Sequence, residues 1–188
     1  GNTMVDVAEL GPLGWLVGTW EGGTGLDVAF SHERGEVWDS PYREVTTFSA
    51  FGPVDNGDQA LFGLDYRSAM WRDEGDPFHT EIGYWLWDAA TNQVMKSFMI
   101  PRGVTLIAGG TSSADATSFT MRSELGHEQY GIVQNSYLLR AAKTLSYEVT
   151  ITQGDDGSMT YEQTTMLAMK EFPEPFAHTD RNTLTKTA

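Results

Sequence analysis

Apolar and polar residues alternate with a period of two along much of the chain. The clearest run is 144–152, where Leu145, Tyr147, Val149 and Ile151 fall on one face and Ser146, Glu148 and Thr150 on the other. This is the pattern of a strand with one dry and one wet face. The following QGDDGS (153–158) carries an Asp-Gly turn signal and predicts a hairpin whose return strand is 159–170. Similar runs occupy 18–25, 42–51, 59–67, 78–88, 93–100, 104–109, 118–125 and 131–140, with a short strand at 183–186. The total expected is about ten or eleven strands. Helical periodicity is weak and confined to 5–16, where Pro12 and Gly14 keep the helix short.

Many strands with few helices make an all-β sandwich or barrel. Glycines inside apolar runs, Gly63 and Gly83 among them, suit a sharply curved sheet. The expectation is therefore an antiparallel β-barrel of about ten strands with a short N-terminal helix. Residues 1–188 are read as one domain, with 1–9 as a loose segment. A barrel of that size has room for one small ligand.

Composition narrows the function classes. The net charge of −14, from 26 acidic and 12 basic residues, repels a phosphate backbone and an anionic membrane surface. Nucleic acid and membrane are thus excluded as expected partners. There are no cysteines, which removes disulfides, thiolate metal sites and a Cys nucleophile. The start, GNTMVDVAEL, lacks a signal-peptide pattern, and no apolar run has the length of a membrane span. The reading is a soluble, cytoplasmic protein; a homodimer is compatible with the sequence, which does not fix an oligomeric state. No Gly-x-Ser-x-Gly or P-loop motif occurs, and the four histidines form no His-x-x-x-His pair.

A few residues remain as candidates. In LGWLVGTWEGGTG (13–25), Gly18 lets the chain bend in and Trp20 is placed to plug one end of a barrel. Gly22 and Gly25 allow the strand to curve. The four together are as compatible with an ordinary buried Trp as with a motif. In PEPFAHTDRNTLTK (173–186), His178 is either a polar loop residue or a metal ligand. Pro173 and Pro175 stiffen the approach to it. A ligating imidazole needs an acceptor on its other nitrogen, and a backbone carbonyl or Asp180 is in range by sequence. Phe78 and His79 open a strand; on a regular strand only one of them faces inward. Met166 and Met169 suit a flat ligand or any core. Arg102, in a turn between two apolar strands, can meet a carboxylate. His32 and His127 read as solvent residues, and the glycines of 108–113 as a loop.

The motifs resemble those of the nitrobindin family, haem-binding β-barrels of fatty-acid-binding-protein-like (calycin) architecture. Leu16-Val-Gly-Thr-Trp-Glu-Gly-Gly-Thr-Gly25 is similar to that family's opening Gly-x-Trp-x-Gly-x-Gly, and Phe78-His-Thr-Glu-Ile-Gly-Tyr84 to its His-x-Glu-x-Gly-Tyr strand. The order of these segments holds from about Leu10 to Lys186. The family's Tyr-Pro is replaced by Leu26-Asp27-Val28, and 26–41 and 68–77 look like insertions. The resemblance implies a b-type haem with His178 as the proximal iron ligand and His79 with Phe78 on the distal side. It also implies binding of nitric oxide or related reactive nitrogen species, with peroxynitrite isomerase activity. The competing reading is a carrier of a fatty acid or other apolar molecule, with Arg102 on its carboxylate.

Overall fold

A computed structural model of the chain describes residues 4–188. Residues 1–3, part of the segment expected to be loose, lie outside the described residues, and Val7 already begins a 3-10 helix, Val7–Leu16. Eleven strands follow: β1 (Gly18–Ser31), β2 (Glu36–Asn56), β3 (Gln59–Trp71), β4 (His79–Asp88), β5 (Gln93–Ile100), β6 (Val104–Thr111), β7 (Ser118–Glu124), β8 (Ile132–Gln134), β9 (Ala142–Gln153), β10 (Met159–Met169) and β11 (Phe176–Lys186). One short helix, α1 (Ser136–Ala141), precedes β9. Every pairing is antiparallel. The circuit runs β1-β2-β3-β4-β5-β6-β7-β9-β10-β11 and returns to β1, a closed ten-stranded barrel. The short β8 adds to the end of β6.

One end of the barrel is plugged. Leu10, Leu13 and Leu16 of the 3-10 helix are fully buried, and Trp20 donates its Nε1–H to the Leu16 carbonyl at 2.8 Å. Gly11 has φ +53°, and the Trp87 ring lies where its Cβ would be, so a glycine there allows the helix to press against the indole. Two further glycines permit close strand approach. A Cβ on Gly22 would lie 2.5 Å from the Thr183 carbonyl, and one on Gly25 would lie 2.6 Å from the Tyr42 ring.

The structure corrects several sequence expectations. Residues 131–140 are not one strand: pairing stops at Gln134, and Asn135 caps α1 by accepting the Leu138 N–H at 3.0 Å. β6 runs through Gly109 and Gly110 instead of ending in a loop, because the Tyr130 ring and the Thr120 backbone fill the places of the missing side chains. Leu145 leaves the inward face at a bulge in the β9–β10 pairing, and Thr144 takes its place. The final strand begins at Phe176, not 183, so His178 is a strand residue, paired with Thr165 of β10 just beyond the last β1 partner, Val28↔Thr179. The stretch 26–41 forms the upper half of the β1–β2 hairpin.

Candidate functional site

The open end holds a cavity of about 350 Å³, within the usual range for small-molecule sites. Its apolar lining includes Phe30, Met70, Phe78, Ile100, Leu106, Leu138, Met169 and Phe176. Three imidazoles line it: His79 and His178 enter from different walls, and His32 stands at the rim.

His178 stands on β11. Side chains two apart share a face of a strand, so Asp180, Asn182 and Leu184 follow it down the barrel interior. β1 pairs with β11 in a register that sets Asp27 opposite Asp180. The Asp27 Oδ1 lies 2.6 Å from His178 Nε2. Asp27 Oδ2 accepts from Arg72 Nη2 at 3.1 Å, and Arg72 Nε donates to Ser40 Oγ at 2.6 Å. Among the described residues, the His178 Nδ1 has no protein hydrogen-bond partner. Burial pulls the His178 pKa down, but the hydrogen bond and charge of Asp27, with help from Asp180, outweigh it and leave the pKa above its ordinary value. Asp180 is pushed up to about 7, first by burial and then by the nearby Asp27 and Glu81 carboxylates. The acceptor for His178 is thus Asp27, and Asp180 instead accepts from Gln163 Nε2.

His79 stands on β4 with Glu81 two residues on. The Glu81 Oε2 lies 2.8 Å from His79 Nε2. Glu81 Oε1 accepts from Lys96 Nζ and from the Tyr66 hydroxyl, both at 2.9 Å. Burial raises the Glu81 pKa, yet Lys96 and His79 together hold it well below the usual carboxylate range. Lys96 also donates to the Tyr147 hydroxyl at 2.8 Å, and Tyr147 donates to Gln163 Oε1 at 2.7 Å. A continuous polar layer therefore crosses the cavity floor from His79 to Asp180. Beneath it Glu44, fully buried, has its pKa raised by desolvation and accepts from Tyr161 and Thr46.

Five of the candidates from the sequence, Phe78, His79, Arg102, Met169 and His178, meet at this mouth. Phe78 and His79 both line the cavity, because Phe78 precedes the strand and escapes its alternation. Phe78 lies under the Arg72 guanidinium at 3.8 Å. Met169 lines the cavity and is buried; Met166 does not line it, since its neighbours Thr165 and Leu167 point inward. Arg102 sits exposed at the rim, with no ion pair among the described residues. Gly18, Trp20, Gly22 and Gly25 lie along β1 away from the cavity lining. His127 is exposed in a loop, as expected, and its Nδ1 accepts the backbone N–H groups of Gln129 and Tyr130. His32, at the rim, pairs with Glu171 at 3.8 Å.

Asp27, Arg72, Lys96, Tyr147 and Gln163 carried no functional signal in the sequence reading. For Lys96 a signal existed: it shares strand parity with Val94 and Phe98, both buried, and a charge there must be paired. Asp27, His178 and Asp180 bring donor atoms within 4.8 Å of one another. With Nε2 held by Asp27 and Asp27 held by Arg72, this cluster reads as the support of one imidazole.

The donor set fits a haem. Apolar side chains cover part of the walls above a polar floor, one ring nitrogen of His178 is left over after Asp27 takes the other, and Arg72 and Arg102 stand near the mouth for carboxylates.

Comparisons with known proteins bear on the fold and the family. No curated protein matches the chain by sequence. The solved structure "Crystal Structure of Rv2717c from M. tuberculosis" aligns with a TM-score of 0.66 at 18% identity, over 99% of this chain and 100% of that one, a likeness of fold. A family model described as the THAP4-like, heme-binding beta-barrel domain matches residues 9–186. Nearly all of the barrel, both histidines and the plugged end lie inside that match, and the chain belongs to the THAP4-like (nitrobindin-like) family of haem-binding β-barrel domains.

Proposed function

We propose that the protein binds one b-type haem through His178 and presents its iron to nitric oxide or related reactive nitrogen species. The observation that carries this reading is an imidazole on the inward face of a barrel strand, oriented by a buried carboxylate, at the wall of an apolar cavity. Asp27 holds the proton on one ring nitrogen and raises the basicity of the other, as an acceptor beyond a metal ligand does. The haem would supply reversible gas binding and, at ferric iron, conversion of peroxynitrite to nitrate. The apolar part of the lining would face the macrocycle, the polar floor holds His79 on a different wall, and Arg72 and Arg102 would offer charge to propionates.

No helix among the described residues is long and apolar enough to cross a membrane. The acidic charge of −14 alone is the support for a soluble, cytoplasmic protein that avoids nucleic acid. A second reading, an apolar-acid carrier, is favoured by one observation only, the unpaired Arg102 guanidinium at the rim.

Titration of haemin into the protein, followed by absorbance, tests the first reading. A Soret shift saturating at one haem per chain is expected, and its loss in His178→Ala. No shift, together with an apolar acid retained in native mass spectrometry, would replace haem with the second reading.

A further inference from the structure

The outer surface of β2 to β6 carries two rungs of side chains that run across the strands. Backbone pairing sets Thr47, Arg67, Ile82, Met99 and Thr105 side by side in one rung. The next rung holds Ser49, Asp65, Tyr84, Ser97 and Ile107. These side chains point away from the barrel, because they alternate with the buried Phe48, Tyr66, Phe98 and Leu106. Ile82, Tyr84 and Met99 are each about half exposed. Ala69 and Thr80 on one flank, and Leu86 and Met95 on the other, are uncharged as well. A hollow of about 320 Å³ lies among Arg67, Ile82, Tyr84 and Met99 on this outer wall.

The chain has 26 acidic and 12 basic residues, yet the rungs hold only Asp65 and Arg67 as charges, and these are of opposite sign. Neither makes an ion pair among the described residues. The outer surface of β7 and β9 shows the other arrangement: there Arg122 bridges Glu124 and Glu148 of its own chain. A contiguous exposed apolar face rimmed by polar groups marks a contact with another protein.

We propose that this face joins two copies of the chain in an isologous dimer. A two-fold axis lying across the strands, midway between the rungs, exchanges one rung for the other. Arg67 then stands over Asp65 of the partner subunit, and Asp65 over Arg67 of the partner subunit, the reciprocal pairing that a two-fold demands. The same operation lays Ile82 over Tyr84 of the partner subunit and Thr105 over Ile107 of the partner subunit. Charge selects a second copy as the occupant. The face is locally neutral, and its two charges, read in reverse order, complement themselves. At a net −14 two copies repel each other, and a neutral face is where they meet at least cost. Tyr84, an aromatic beside the hollow, is the type of residue that anchors such contacts.

The test is sedimentation equilibrium of the full, haem-free chain, whose outcome does not depend on the haem reading. A monomer–dimer equilibrium is expected. Arg67→Glu and Asp65→Lys each set like charges against one another at both ends of the axis. Each is expected to weaken the dimer about tenfold. The double change Asp65→Lys/Arg67→Glu returns opposite signs to both places and is expected to restore association, which separates a charge contact from a folding defect. A wild type that stays monomeric up to millimolar concentration overturns the proposal and leaves the face to a partner of another kind. A dimer that the single changes leave unaltered, or that the double change does not restore, overturns it too.

Discussion

Two walls of the same cavity carry the same short motif, His79-Thr-Glu81 on β4 and His178-Thr-Asp180 on β11, four steps apart round the barrel. Each histidine is at the mouth and each acid lies one pleat deeper. The acids behave in opposite ways. Glu81 has a buried lysine and stays well below the ordinary carboxylate range, while Asp180 has no cation of its own and rises to about 7. The histidines differ accordingly. His79 is bonded to the acid of its own motif, whereas His178 is bonded to Asp27, a residue of another strand. The lesson is that a local motif fixes spacing, and the neighbouring strand decides the charge.

The largest break in this comparison is Lys96→Met. It strands Glu81 as a buried carboxylate and is expected to cost about 3–5 kcal/mol, read by chemical denaturation. The corresponding change on the other wall, Asp180→Asn, removes no partner of a cation and will not reproduce that loss.

Next comes Asp27→Asn, which weakens the acceptor that orients His178. Haem affinity is expected to drop about 10–100-fold with the fold intact, measured by competition for haemin. An unchanged affinity would separate Asp27 from the ligand's support.

A third test uses pH. Asp180 is raised to about 7 in the folded protein, against about 3.9 in an unfolded chain. The folded state therefore binds the proton more tightly. The stability this group contributes is complete below about pH 4 and is lost as pH rises through 7. Asp180→Asn is expected to flatten that decline and to gain roughly 1–2 kcal/mol at pH 8 in the haem-free protein. A wild-type stability curve that rises between pH 5 and 8 in parallel with the variant's would contradict it.

The smallest effect is expected from Met166→Ala, whose side chain lies outside the cavity lining. It should cost under about 1 kcal/mol and leave haem uptake unchanged. Loss of uptake would mean that the strand's inward face has been assigned to the wrong residues.

The barrel was legible where strands have one wet face. On β9 and β10 the alternation and the Asp-Gly turn located both strands and their hairpin. It was not legible in FAHTDRN, because the inward residues of β11 at that level are His178, Asp180 and Asn182, and an interior that is itself polar erases the contrast. The α1 turn was hidden because its signal is one capping Asn in an apolar run. At the site, the two histidines could be picked out by sequence, and Glu81 as a neighbour of His79. Asp27 could not be assigned to His178, since 151 residues separate them and only strand register joins them. Lys96 was readable in principle as a charge at an inward position, but its partner depends on how β4 and β5 pair.

The most direct measurement of the central claim is rescue of His178→Gly by free imidazole. The variant is expected to lose the wild-type ferric haem spectrum and to regain it with added imidazole, while His79→Gly keeps it without help. A His178→Gly protein with the wild-type spectrum, or a spectrum lost in His79→Gly instead, would move the iron to another residue.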